Sequence, residues 1–246
     1  MTEAAPSVGV GLRVVTYNVH RCRGMDRRVV PERAARVLAA LGPDLAGLQE
    51  VIGPAPHAPG HIPPIELAVG LDAAFATARS LRGHAFGNLV LSRFRLVHSE
   101  QFDLSWRLRE PRVLQRVLVD IDGRRVQFYN VHLGTSLRER RTQAKLLGEY
   151  IELGQPAKTP TIVVGDFNEW LPGPVALVLR RWFHDAEDVG GVRARRSYPG
   201  VLPVVHLDHI YHSPHFVVRR VTLVRTRLAV VASDHLPLMA DLVLNG

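Results

Sequence analysis

Eight polar side chains in this chain have the types and spacing to act on a phosphate ester: Asn18, Glu50, His132, Asp166, Asn168, Asp208, Asp234 and His235. Asp166 and Asn168 close the run Thr161-Ile-Val-Val-Gly-Asp-Phe-Asn, whose β-branched start reads as a strand buried on both faces. Strand side chains alternate, so the carboxylate and the amide leave on one side and can hold a water or a cation together. Alone, Gly-Asp-Phe-Asn reads more simply as a turn. The oxygen donors suit a hard cation: Glu50 leads, with Asn18, Asp166, Asn168 or Asp234 beside it, and Mg2+ or Mn2+ is the natural occupant. Zinc would want more imidazole than His132 and His235 supply. His57 and His61 would share a face only on a helix, which the five prolines of residues 52–64 argue against.

Hydrolysis of a phosphate ester asks for a cation, positioned donors and a base for water, because negative charge repels the nucleophile and builds up in the transition state. Asp166 can take the proton of a water that Asn168 orients. His235 can donate to a phosphate oxygen while Asp208 or Asp234 holds its ring and keeps it cationic. Taken singly, Asn18 is also a turn cap, His132 a hydrogen-bonded core histidine and Asp234 a cap before a strand. Nearly all eight lie at or just past a predicted strand end, where polar groups are costly unless paired, and that joint placement calls for a common purpose.

The spacing predicts strands over 12–19, 45–51, 73–78, 86–92, 96–102, 113–121, 126–133, 161–164, 204–211, 217–228 and 238–244. Helices are expected after Pro31, where Ala34, Val37, Leu38 and Leu41 make a stripe that Gly42 ends, from about residue 65, after Ser136, and within 172–182. Ser136 and Glu139 have capping-box spacing, and Asp122-Gly123 marks a hairpin. Residues 103–115 and 193–203 read as polar loops. Tyr-Asn-Val-His closes a strand twice, at 17–20 and at 129–132. The order strand, helix, strand also occurs twice, over 14–50 and 126–166, each time ending in an acid. This predicts two related half-sheets facing one another, with strand ends meeting on one rim.

With 46% hydrophobic residues the chain can bury a large core, and no long linker divides it, so 1–246 is read as a single domain with a flexible N-terminus over 1–11. The charge is 31 − 23 = +8, which favours an anionic partner, although all basic residues but Lys145 and Lys158 are arginines, a bias that base composition also produces. The single cysteine, Cys22, excludes an intramolecular disulfide and a cysteine-based zinc site. No signal-peptide pattern and no apolar stretch near the roughly 20 residues of a span occurs, so a cytoplasmic protein is expected.

Tyr-Asn-Val-His, Leu-Gln-Glu-Val, Gly-Asn with Leu-Ser-Arg, Asn-Val-His-Leu, Gly-Asp-Phe-Asn, Leu-Asp-His-Ile and Ser-Asp-His-Leu-Pro, in that order from Thr16 to Leu242, resemble the motifs of the endonuclease/exonuclease/phosphatase superfamily, the deoxyribonuclease I-like fold. The resemblance is closest to its small bacterial members. It implies an α/β four-layer sandwich: two packed mixed β-sheets flanked by helices, with internal pseudo-twofold symmetry. It also implies Mg2+-dependent phosphoester hydrolysis. The family's metal acid falls on Glu50 and its nearby amide on Asn18. Its pair for the nucleophile falls on Asp166 and Asn168, its phosphate-binding histidine on His235, and that histidine's partner on Asp208. Asp234 matches a further acid beside the metal, and His132 matches a histidine of the nuclease, sphingomyelinase and inositol-phosphatase branches. His206 stands where the small bacterial members tend to have an arginine, while Arg93 and Arg112 match basic positions of those members and are read either as phosphate contacts or as surface salt bridges.

The expected activity is that of a metal-dependent phosphodiesterase acting as a monomer, without a stable protein partner. Its substrate is a nucleic acid or a lipid-headgroup or small-molecule phosphodiester. A nuclease would present a basic groove, for which the arginines after both Asn-Val-His motifs are candidates. A lipid or small-molecule enzyme would present a narrower pocket with an apolar lip, for which residues 52–64, Trp106 and Trp170 are candidates. The alternatives are a phosphomonoesterase of the inositol-phosphatase type and a catalytically silent binding module.

Overall fold

A computed structural model describes residues 9–188 and 196–246. In chain order its strands are β1 (Val10–Asn18), β2 (Leu45–Ile52), β3 (Asp72–Leu81), β4 (His84–Ser92), β5 (Arg95–Asp103), β6 (Val113–Ile121), β7 (Arg124–His132), β8 (Thr161–Asp166), β9 (His184–Asp185), β10 (Asp208–His212), β11 (Phe216–Leu223) and β12 (Leu238–Leu244). The helices are α1 (Pro31–Leu41), α2 (Ile62–Val69), α3 (Leu137–Leu153), α4 (Pro174–Leu179) and α5 (Arg227–Ala232). The strands make two six-stranded sheets, ordered β11-β12-β1-β2-β4-β3 and β5-β6-β7-β8-β10-β9.

Each sheet is built on one parallel pair joined through a helix, β1-α1-β2 in the first and β7-α3-β8 in the second. Antiparallel neighbours flank both pairs, β12 and β4 in one sheet, β6 and β10 in the other. The expected pseudo-twofold is therefore present in the topology. Period-two alternation sorts the layers. Val15 and Tyr17 of β1 pack with Val37, Leu38, Ile65 and Ala229 under α1, α2 and α5. Leu12 and Val14 face the other way, against Val117, Phe128, Ile162 and Ile210 of the second sheet. Tyr129, Val131 and Val163 pack beneath Leu147, Ile151, Val175 and Leu179 of α3 and α4. The order is helices, sheet, sheet, helices. Cys22 lies in the first of these cores, 1% exposed.

The layer between the sheets changes character along its length. At one end it is apolar. Toward the other, Gln49, Asn88, Gln115 and Asn130 are buried and bridge the sheets. Gln49 Nε2 donates to Asn130 Oδ1 at 2.8 Å, and Asn130 Nδ2 donates to the carbonyls of Leu48 (3.0 Å) and Leu89 (3.1 Å) in the opposite sheet. The sheets close tightly here: a Cβ on Gly47 would stand 2.4 Å from Val164 Cγ2. Asn130→Ala strands these groups in a dry interior, so the variant is expected to lose roughly 2–4 kcal/mol of stability, readable as a fall of several degrees in melting temperature. A shift under one degree would show that water replaces the amide.

Several expectations change. β1 begins at Val10, which pairs with Leu244, so residues 10 and 11 belong to the sheet, while 1–8 lie outside the described residues. The helix expected from about 65 starts at Ile62, with Pro63 and Pro64 in its first turn, where no intrahelical N–H is needed. Residues 204–207 are not strand; β10 starts at Asp208. The strand expected over 217–228 ends at Leu223, and α5 follows, with the Thr226 hydroxyl accepting from Ala229 N at 3.1 Å. The capping box does not form: Ser136 makes no side-chain cap bond, and Glu139 is buried against Gly134 and Gln143. Part of the loop expected over 193–203 lies outside the described residues.

Candidate active site

The polar end of the inter-sheet layer opens into a groove of about 560 Å3, lined by Asn18, Glu50, His132, Asp166, Asn168, Asp234 and His235, with Asp208 fully buried beneath. All eight candidates from the sequence thus meet at one rim. Both sheets contribute. Asn18 ends β1, His132 ends β7 opposite Asp166 at the end of β8, and Asp208 opens β10 opposite the same Asp166.

Glu50 arrives by a different route. Alternation along β2 would turn it away from Gln49 and toward the helices, but the β2–β4 register shifts between Leu48 and Val51, and Glu50 takes a left-handed backbone (φ 57°). This bulge brings its carboxylate to Asn18 Nδ2, 3.3 Å away. Gly165 allows the close approach on the other side, since a Cβ there would lie 2.0 Å from the Val131 carbonyl oxygen. Asn168, also left-handed (φ 50°), donates its backbone N–H to Asp166 Oδ1 (3.0 Å) and its side-chain N–H to Leu133 O (2.9 Å).

Two histidines flank Asp166 in different charge states. His235 Nδ1 lies 2.9 Å from Asp208 Oδ2, and its Nε2 lies 3.6 Å from Asp166 Oδ2. Burial alone would lower its pKa, but the Asp208 and Asp166 carboxylates outweigh burial and raise it to about 10. Ser197 Oγ donates to the same Asp208 oxygen at 2.5 Å. His132 is the opposite case. Burial, with Arg112 and His235 nearby, drives its pKa well below the usual value. Arg112 Nη1, 2.9 Å away, donates to His132 Nδ1, which leaves the ring hydrogen on Nε2, 3.5 Å from Asp166 Oδ2. Asp166 itself is raised to about 6, by burial against the pull of His235.

Other candidates fare differently. Arg112 is nearly buried, held between His132 and Glu110 Oε2 (2.9 Å). Arg93 pairs with Asp44 at 2.9 Å, at the end of the sheet away from the groove. His206 pairs with Glu187 Oε2 at 2.7 Å in a separate pocket behind Phe167. Asp234 faces His20 Nδ1 (3.3 Å), leaving the His235 ring to Asp208. Of the arginines after the second Asn-Val-His, Arg140 is buried on the carbonyls of Gly134 and Thr135. Trp170 lines the groove, whereas Trp106 packs on Arg107. Ser197 and Tyr198, whose ring centre is 4.9 Å from that of His235, were not foreseen, and neither carries a sequence pattern of its own; Arg21, one of the arginines after the first Asn-Val-His, does reach the groove, with Nε 3.5 Å from Glu50 Oε2.

Residues 15–235 match the model of the Endonuclease/Exonuclease/phosphatase family. The chain belongs to this family. It is 30% identical over 249 residues to the uncharacterized protein YbhP of Escherichia coli K12, across 94% of this chain and 95% of that one. An endonuclease/exonuclease/phosphatase from Beutenbergia cavernae shares the fold (TM-score 0.76, 24% identity, 96% of this chain and 72% of that one). So does the mannosyl-6-phosphatase Bt3783 of Bacteroides thetaiotaomicron (TM-score 0.76, 22% identity, 94% and 99%). These two likenesses speak for the fold alone. The family is one of phosphoester hydrolases.

A metal of the kind such enzymes use fits the donors. Asp166, Asp208 and His235 offer ligand atoms within 4.8 Å of one another, and the buried Asp208 Oδ1 has no hydrogen-bond donor. Glu50, Asp234 and Asn18 add oxygens on the groove wall. A set dominated by carboxylate and amide oxygens suits a hard divalent cation. None of the described helices is long and apolar enough to cross a membrane.

Proposed function

We propose that this chain is a divalent-metal-dependent phosphodiesterase that hydrolyses its substrate with an activated water. One observation carries the reading: a buried carboxylate with raised proton affinity, Asp166, stands 3.6 Å from the Nε2 of His235, an imidazole that Asp208 keeps cationic, in one groove with Glu50, Asn18 and Asp234. Glu50, Asn18 and Asp234 would hold Mg2+, or Mn2+, because Asp208 Oδ2 and His235 Nδ1 are already bonded to each other. The ion supplies charge neutralisation at the phosphate. Asp166 accepts the proton of the attacking water, and the carbonyl oxygen of Asn168 orients that water, since its amide nitrogen is committed to Leu133. His235 donates from Nε2 to a phosphate oxygen as charge builds there. Neutral His132 faces Asp166 Oδ2 with its Nε2, 3.5 Å away, and adds no charge there.

The charge inventory favours a diester. Glu110 and Glu50 pair with Arg112 and Arg21, so apart from the ion His235 is the principal cation facing the phosphate, which matches the single charge of a diester better than the second charge of a monoester. The test is hydrolysis of bis(p-nitrophenyl) phosphate and p-nitrophenyl phosphate by metal-stripped protein. Added Mg2+ or Mn2+ is expected to restore the diester reaction by roughly 100-fold or more, with the monoester much slower. Faster monoester cleavage would favour a phosphomonoesterase, and restoration by Zn2+ alone would sink the hard-cation assignment.

A further inference from the structure

A second concavity, also about 560 Å3, adjoins the catalytic groove and shares Arg21 with it. It is lined by Arg21, Arg23, Arg27 and Arg82 with His61 and His84, and no carboxylate lines it. Arg23, Arg27 and Arg82 are exposed and have no ion-pair partner among the described residues. His61 Nδ1 is buried without a hydrogen-bond partner. Arg21 has Glu50 beside it, but the guanidinium groups of Arg23, Arg27 and Arg82 around one hollow repel one another unless an anion sits between them.

The backbone holds this charge in place at a cost. Arg21, Arg27 and Arg82 all have left-handed backbones (φ 57°, 63° and 51°), a conformation that side chains other than glycine and asparagine adopt reluctantly. Arg82 is the first residue of the two-residue turn before β4, where the turn geometry asks for Asn or Gly. The loop carrying the others is pinned rather than loose. Arg33 grips Asp26 with two hydrogen bonds (2.8 and 2.7 Å), which removes the one nearby loop carboxylate from Arg23 and Arg27, and Met25 N donates to Val231 O at 3.0 Å.

We propose that this pocket is a subsite for a second, uncleaved phosphate of the substrate, presented by the same molecule whose scissile phosphodiester lies in the adjoining groove. The inference rests on the phosphodiesterase reading for the role of that groove. The second phosphate is either the next link of a polynucleotide strand or a terminal phosphate on a small molecule. Arg23, Arg27 and Arg82 bind it, and Arg21 stands between the two anions.

The test separates binding from turnover. Thymidine 3′,5′-bisphosphate and thymidine 5′-monophosphate are titrated calorimetrically into the full chain in EDTA, beside Arg23→Ala/Arg82→Asn and, as a second variant, Arg27→Ala. The bisphosphate is expected to bind the wild type about ten-fold more tightly or better, and the double variant to bind both alike. The double variant should keep its rate on bis(p-nitrophenyl) phosphate within about two-fold. Equal affinities in the wild type would overturn the subsite, as would a preference that survives in both variants. If the preference is present but no ester is cleaved with Mg2+, the phosphodiesterase reading fails and the subsite stands. A trinucleotide without terminal phosphates that displaces the bisphosphate assigns the source to a strand; failure to displace assigns it to a terminal phosphate.

Discussion

Asp166→Ala is expected to lose roughly 1,000-fold or more in kcat/KM on a diester substrate while melting no lower than the wild type at pH 8. The activity loss follows from position, since Asp166 is the carboxylate that Asn18, Asn168, His132 and His235 all approach. The stability half follows from its proton affinity. Burial raises the folded-state pKa to about 6 from 3.8, so its contribution to stability is fully present below about 3.8 and lost as pH rises through about 6. At pH 8 the folded chain carries that charge at a disadvantage, and alanine removes it. Melting curves at pH 5 and pH 8 beside steady-state kinetics make the check. A large drop in melting temperature at pH 8 would mean that Asp166 holds the rim together, and its loss of activity would then say little about proton transfer.

The second large effect concerns Asp208 and His235. His235→Ala is expected to cost roughly 100- to 10,000-fold in kcat, and Asp208→Asn nearly as much above neutral pH, with the double substitution little worse than His235→Ala. The reason is a shared proton. Asp208 and Asp166 hold the imidazole pKa near 10, so the wild-type pair's stabilisation is fully present below 6.5 and lost only as pH rises through about 10. The Asp208→Asn variant loses the nearer carboxylate, so its activity should fall between pH 6 and 9, where the wild type keeps its imidazolium. Independent, additive losses, or a variant profile parallel to that of the wild type, would show that Asp208 acts only through packing.

What could be read from the chain was whatever alternation controls. Asn18, His132 and Asp166 sit on the inter-sheet face at strand ends because each strand carries its polar residue there in phase with the apolar ones behind it. Glu50 was legible as an acid at a strand end, but not the way it reaches the groove, since the bulge that turns it there has no pattern in Leu-Gln-Glu-Val. The repeated Tyr-Asn-Val-His shows the limit more sharply. β1 stops at Asn18, whose amide meets Asp166, whereas β7 runs on to His132 and its Asn130 stays behind as a bolt between the sheets. The same four residues thus do unlike work because the strands end at different places. α5 was hidden because its Leu-Ala-Val-Val looks like a continuing strand; only Thr226 signalled the start of a helix. Arg140, expected with its neighbours to line a basic groove, and Arg93, for which a phosphate contact and a surface salt bridge were both open, show that guanidinium groups serve carbonyls and carboxylates of the fold as readily as phosphates.

β12, which lies between β1 and β11, has a temporal consequence. Its seven pairs with β1 run from Val10↔Leu244 to Thr16↔Leu238, joining the first and the last strands among the described residues. During synthesis β1 therefore keeps an open edge while more than two hundred residues are added, and His235 emerges from the ribosome only with the segment that covers it. His235, the last of the eight groove residues, thus becomes available just ahead of the strand that seals that edge. A ribosome that stalls before residue 238 releases a chain with an unpaired strand, the kind of product that chaperones and proteases recognise.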